Sequence, residues 1–249
     1  MKRLTHQVSA FILHARPYQE SSLILQVFSR ESGRFSLIAK GVKGKRSQAR
    51  KAVLQPFQEL RLEYTGKSEL KTLLHCERFE PYAANAFLLQ EKKLACAYYA
   101  SELLIRGLPE GCEYSELYVQ YANLLSELSH KDQYANYLRQ FEVSLLRAIG
   151  LAPDFKFDIE QQPIDENWYY LWVPEQGFSR AAEKEMSRGF SGHAILALGE
   201  KNTGQLSGRE CQHICRLLLQ EVIGNKPLQS RKMWHHINLI QTGESNNEQ

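Results

Sequence analysis

Six positive charges, Lys40, Lys43, Lys45, Arg46, Arg50 and Lys51, fall within the twelve residues KGVKGKRSQARK, which carry two glycines and no acid. The chemistry such a run supports is anion binding, and a long polyanion suits it best. Phosphates spaced along one backbone neutralise the charges together and release their condensed counterions. The plain alternative is a solvated run of charge. Residues 1–80 hold 15 Lys and Arg against 7 Asp and Glu, a net of +8 in a chain whose net is +3, which leaves −5 for residues 81–249. Charge segregated to one end is what a nucleic-acid surface requires. Arg34 and Lys71, from the same region, join the loop as candidate phosphate contacts. Such contacts carry no base information, so the binding they predict is non-specific and salt-sensitive. If all of the loop's cations engage a single strand, log K falls with log salt with a slope near ~4, at about 0.7 per phosphate. Phe11, Phe28, Phe35, Phe57 and Tyr64 are the aromatics available to stack on bases. Each has the competing role of filling a small core.

Other chemistries find less support. The chain contains no GxxxxGK[ST] phosphate loop, no HExxH and no GxSxG. Asp154, Asp158, Glu160, Asp165 and Glu166 cluster in one stretch. They suggest either a solvated acidic face or the metal site of a nuclease. The five cysteines are scattered and odd in number, the usage of reduced thiols in a cytoplasmic protein. Cys211, His213 and Cys215 lie in CQHIC, but on a helix i and i+4 share a face while i+2 points away, so no metal site is expected there. No run of about eighteen apolar residues occurs, so no membrane span is expected. No cofactor is implied.

The elements that must position the basic loop read as a small barrel. VSAFILH (8–14), SLILQVFS (22–29), RFSLIAK (34–40), ELRLEYT (59–65) and ELKTLLH (69–75) are strand-like, and in the fourth Leu60, Leu62 and Tyr64 alternate with charged residues. Glu31-Ser32-Gly33 and Thr65-Gly66-Lys67-Ser68 supply the tight turns, leaving the basic stretch as the long connection between the third and fourth strands. Five strands with one long basic loop make an OB-fold candidate. After Pro81 the period becomes helical, with helices expected over 84–107, 114–129 and 134–149. The expected division is an α+β, multi-domain chain: a barrel over 1–80, a helical bundle over 81–152 and a mixed region over 153–249. In the last, WYYLWV is a strand, short helices follow, and the tail from about 242 is disordered. KPLQSRKMWHH adds Lys226, Arg231 and Lys232, which either extend the nucleic-acid surface or serve a helix cap.

Read together, several segments resemble the RecO family of bacterial recombination mediators. The likeness is carried by FILHARPYQESSLILQVFSRESGRFSLIAKGVKGKRS, LQPF (54–57), ELKTL (69–73), LRQFEVSLLRAIG (138–150) and KPLQSR (226–231). The resemblance implies an N-terminal OB-fold, a helical bundle and a smaller C-terminal region packed on it. It also implies a non-enzymatic role in DNA repair. Such proteins bind single- and double-stranded DNA, anneal complementary strands, grip the acidic C-terminal tail of single-strand-binding protein (SSB), and with RecR help load RecA. By the same resemblance, Arg139 is the partner of the tail's terminal carboxylate, with Leu138, Phe141 and Tyr98 or Tyr99 as lining candidates. The residue's alternative is an ion pair with Glu142, three positions on. The four-cysteine zinc module of many members is excluded, because residues 113–210 hold no cysteine. Two other functions compete with the mediator: an RNA-binding OB-fold module, and a metal-dependent nuclease using residues 154–166.

Overall fold

The computed structural model describes residues 4–44, 48–79, 89–130, 134–200, 206, 208–224 and 226–234. They divide into two compact units, one running to residue 130 and taking in 226–234, the other spanning 134–224.

The first unit begins with a closed barrel of β1 (Thr5–Tyr18), β2 (Ser22–Ser29), β3 (Gly33–Ala39), β4 (Glu59–Thr65) and β5 (Leu70–Arg78). The strand order is β1-β2-β3-β5-β4, with β3 and β5 parallel and β4 returning to β1. This is the topology of an OB-fold. One strand must serve both sides of the closure, and β1 does so by its length. It pairs with β4 through Thr5–Phe11 and with β2 through Ala10–Tyr18, and a register shift between Ile12 and His14 lets it bend around the barrel. Val8, Ala10, Ile12, Leu25, Val27, Phe35, Leu37, Leu60, Leu62 and Tyr64 fill the interior.

The outer face of β1 and β2 is also buried, because helices cover it. α2 (Glu91–Gly107) and α3 (Ser115–His130) follow the barrel. Tyr118 and Tyr121 of α3 pack on Phe11 and Phe28, with ring centroids 5.2 to 6.4 Å apart. The Tyr118 hydroxyl donates to the buried Glu59 carboxylate at 2.7 Å. The β2–β3 turn meets the α2–α3 loop so closely that a Cβ on Gly33 would lie 1.6 Å from the Cys112 carbonyl oxygen; Gly33 also has φ +64°. Glycine is needed there on both counts.

The second unit starts with α4 (Ala135–Ala148), continues through the strands β6 (Tyr169–Val173), β7 (Gly177–Arg180) and β8 (Phe190–Ser191), and ends in α5 (Gly192–Gly199), α6 (Arg209–Leu218) and α7 (Gln220–Ile223). The three strands form one sheet in the order β7-β6-β8. Cys211, Ile214, Cys215 and Leu218 make the buried stripe of α6.

The two compact units group the helices and the C-terminal region by what packs on what. α4 groups with the C-terminal region, and residues 226–234 return to the barrel's unit. Helical periodicity marks which face of a helix is buried, not which partner buries it.

Candidate nucleic-acid interface

The basic stretch is anchored at both ends by apolar residues. Val42 and Leu54 belong to the barrel core, at 0% and 2% exposure. At the near end, the Val42 and Lys43 amides both donate to the Ser21 carbonyl. Within the connection lies α1 (Gln48–Val53), which has no buried residue. With its ends plugged into the barrel and its helix on the surface, the described part of the loop leaves Lys40 and Lys51 exposed and Lys43 and Arg50 partly so.

The cations nevertheless have different roles. Lys40 and Lys51 are exposed. Lys43 is partly exposed, with Nζ donating to the Gln19 carbonyl. Arg50 reaches across to β5, donating to the Leu73 and Leu74 carbonyls, and so fastens α1 to the barrel. Burial pushes the Cys76 thiol up, and the neighbouring Arg50 partly opposes this. Lys45 and Arg46 lie outside the described residues. Lys71 sits with its ammonium 5.1 Å from the centroid of the Phe35 ring. Among the described residues, Lys40, Lys43, Arg50 and Lys51 pair with no carboxylate.

Arg34 departs from expectation. Its guanidinium is ion-paired with Glu110 at 3.0 Å and donates to the Leu108 carbonyl and to Gln26 Oε1, with 14% of the side chain exposed. It ties the β2–β3 hairpin to the α2–α3 loop, which leaves little of its charge for a phosphate. The five stacking candidates are likewise interior. Phe11, Phe28, Phe35, Phe57 and Tyr64 are at most 5% exposed. Phe11 and Phe28 face α3, Phe35 packs on Tyr64, and Phe57 meets the edge of Tyr98. The barrel's described surface therefore presents cations, while these five rings are buried inside it or under the helices that cover it.

The residues assigned by resemblance to an acidic tail divide between the two units. Tyr98 and Tyr99 are on α2, and Leu138, Arg139 and Phe141 on α4. Arg139 is 7% exposed and forms an ion pair at 2.9 Å with Glu142, which is fully buried. The pairing expected as the alternative is thus the arrangement present. Beside it, burial and then the Glu142 carboxylate push the Cys215 thiol well above its ordinary value, and burial raises Cys211 as well. His213 is exposed where both thiols are buried, its ring edge-on to Phe190.

The acidic stretch is occupied with its own loops. Asp154 Oδ1 accepts from the Lys156 and Phe157 amides, Asp158 Oδ1 from those of Glu160 and Gln162, and Asp165 Oδ1 from Asn167. Turn-forming carboxylates of this kind need no ligand to explain them. Among the described residues, no group of three or more His, Cys, Asp or Glu is arranged to hold a metal ion, and no helix is long and apolar enough to cross a membrane.

One feature of the unit has no counterpart in the sequence pattern. Glu102 and Arg106 of α2 pair at 2.7 Å and together hold the returning C-terminal segment. Glu102 accepts from the Gln229 and Ser230 amides and the Ser230 hydroxyl, and Arg106 donates to the Lys226 and Pro227 carbonyls. The i, i+4 spacing of the pair is visible in the sequence. Its partners, 120 to 128 positions on, are not.

Comparison with known proteins agrees with this architecture over nearly the full length. Residues 1–82 match the family described as Recombination protein O N terminal, and residues 90–232 match Recombination protein O C terminal. The chain belongs to the RecO family. Among its curated relatives is the DNA repair protein RecO of Alteromonas mediterranea, 40% identical over 91% of this chain and 96% of the relative. The proteins of the same name from Pseudoalteromonas atlantica and Actinobacillus succinogenes are 35% and 36% identical, over 92% and 91% of this chain and 93% and 94% of theirs. The first family match coincides with the closed barrel and its basic loop, so the RecO N-terminal region is an OB-fold here. Membership places the protein in DNA repair.

Proposed function

We propose that this RecO-family protein acts as a recombination mediator that breaks no bonds. It holds single- and double-stranded DNA by the phosphates through the loop of residues 40–51, and in doing so brings complementary strands together. The observation that carries the reading is the loop's construction: core anchors at Val42 and Leu54, and between them described cations with no carboxylate partner. Two strands repel one another, and excess positive charge lowers the cost of their approach without reading either sequence.

Through the family, the same reading takes in RecR as partner, the SSB tail as ligand and RecA loading as outcome. For the tail, Arg139 is the candidate, and a terminal carboxylate would compete there with Glu142 for the guanidinium fork.

The test is titration of labelled single-stranded DNA at several salt concentrations with the Lys40→Glu/Lys43→Glu/Lys51→Glu protein. Affinity should fall for every sequence alike, and the salt slope should drop by about 2, at about 0.7 for each phosphate no longer neutralised. An unchanged slope would remove the loop from the interface. Equal affinity for RNA, with no response to an SSB tail peptide, would favour an RNA-binding module instead.

A further inference from the structure

The segment that Glu102 and Arg106 hold has a second property: its backbone is fixed while its charges are free. Lys226, Arg231 and Lys232 are exposed, whereas Leu228 and Ser230 between them are buried, at 0% and 6%. Between residues 225 and 240 the sequence contains no acid. The nearby carboxylate, Glu102, is committed to Arg106 and to the amides of residues 229 and 230. Among the described residues, none of these three cations forms an ion pair.

Position matters as much as charge. Tyr98, Glu102 and Arg106 follow one another at i, i+4 and i+8, a single stripe along α2. Tyr98 meets Phe57, which lies three residues beyond Leu54, the far anchor of the basic loop. Glu102 and Arg106 hold residues 226–230. One helical turn, about 6 Å of rise at about 1.5 Å per residue, separates the contact with the barrel from the contact with the segment. Phe57, six positions beyond the last cation of the basic loop, and the segment 226–230, some 170 positions further on, therefore meet the same stripe of one helix within one compact unit.

We propose that Lys226, Arg231 and Lys232 form a second phosphate-contacting surface, continuing the track of the basic loop along α2 and engaging the backbone of a longer nucleic acid. This rests on the proposed role of the loop and extends it. A nucleic-acid backbone fits better than an acidic peptide with an aromatic end. The segment's aliphatic side chain, Leu228, is turned into the fold and not toward a ligand beside the charges. The cations themselves are spread over seven residues. Holding the main chain rigid removes the ordering cost that a free basic tail would incur on binding.

The experiment compares the Lys226→Glu/Arg231→Glu/Lys232→Glu protein with the Lys40→Glu/Lys43→Glu/Lys51→Glu loop variant, both as full chains. The probes are single-stranded oligonucleotides of about 12 nucleotides, within the span of one OB-fold, and about three times that length. The C-terminal variant should bind the short strand nearly as the parent does, and show a salt slope smaller by about 2 on the long one. The loop variant should weaken on both. The corresponding Gln substitutions, which remove the charge without reversing it, should give the same pattern with a smaller drop in affinity. Native affinity and slope on the long strand for the C-terminal variant, with the loop variant weakened, overturns this inference and leaves the loop's role standing. Loss of binding to an SSB tail peptide with DNA binding intact also overturns it, in favour of a protein ligand. Native binding by the loop variant instead overturns the reading on which the inference rests.

Discussion

Replacing Tyr118 by Phe isolates a single interaction that joins barrel to helix. The hydroxyl donates at 2.7 Å to Glu59, the first residue of β4, and the two residues are 4% and 7% exposed. Burial, and after it the acceptance by Glu59, push the Tyr118 hydroxyl far above its ordinary value, so it remains a donor wherever the protein is folded. Phe preserves the ring and its contacts with Phe11 and Phe28 and removes only the oxygen. A hydrogen bond to a charged group contributes about 1.5–3 kcal/mol, and the deletion leaves the carboxylate without this donor. Tyr118→Phe should therefore lower the stability of this unit by about 2 kcal/mol, a ~30-fold rise in opening. Hydrogen exchange of the β4 and α3 amides reads that change directly. Combining it with Glu59→Gln in a double-mutant cycle should give a coupling of about 1–3 kcal/mol. Affinity for single-stranded DNA should stay the same, because none of the loop's cations is touched. Additive effects in the cycle, or exchange unchanged in Tyr118→Phe, would refute the claim that this bond helps hold α3 on the barrel.

The Glu102 clamp should be acid-sensitive. Burial raises the Glu102 carboxyl, but the Ser230 and Gln229 amides, the Ser230 hydroxyl and Arg106 together bring it below its ordinary value. Its contribution is then complete above the unfolded carboxylate value of about 4.3 and is lost as pH falls through the lower folded one. Exchange protection of residues 226–234 should hold from neutral pH to about pH 4 and fall below it, while Glu102→Gln should show weaker protection at neutral pH and no such fall. Arg139→Ala removes the ion-pair partner of a fully buried carboxylate and should destabilise the 134–224 unit by about 3–5 kcal/mol in urea unfolding; full stability with only tail-peptide affinity reduced would make Arg139 a receptor and not a structural residue. Gly33→Ala should cost more than the ~1–2 kcal/mol of a left-handed backbone alone, since the methyl meets a main-chain carbonyl, and a melting temperature like the parent's would contradict that close approach.

Local pattern specifies the barrel. The alternation of Leu60, Leu62 and Tyr64 marks the inward face of β4, Gly33 and Gly66 stand at the turns with positive φ, and the five strands lie where runs of β-forming residues predict them. The basic loop is equally legible, because a charge run between two strands is a property of neighbours in sequence. What the sequence alone could not decide is which charges are spent. Arg34 and Lys40 look alike along the chain, yet Arg34 is held by Glu110 and the Leu108 carbonyl across more than seventy positions, while Lys40 is exposed. Arg139 is ambiguous in sequence between a ligand and Glu142, and burial settles that the pair is made. The return of residues 226–234 to α2 has no local signature, for a carboxylate that accepts main-chain amides reads in sequence like any exposed Glu. Secondary structure follows from spacing over a few residues. The assignment of each charge to phosphate, carbonyl or counter-charge follows from long-range contacts, and those exist only once the chain has folded.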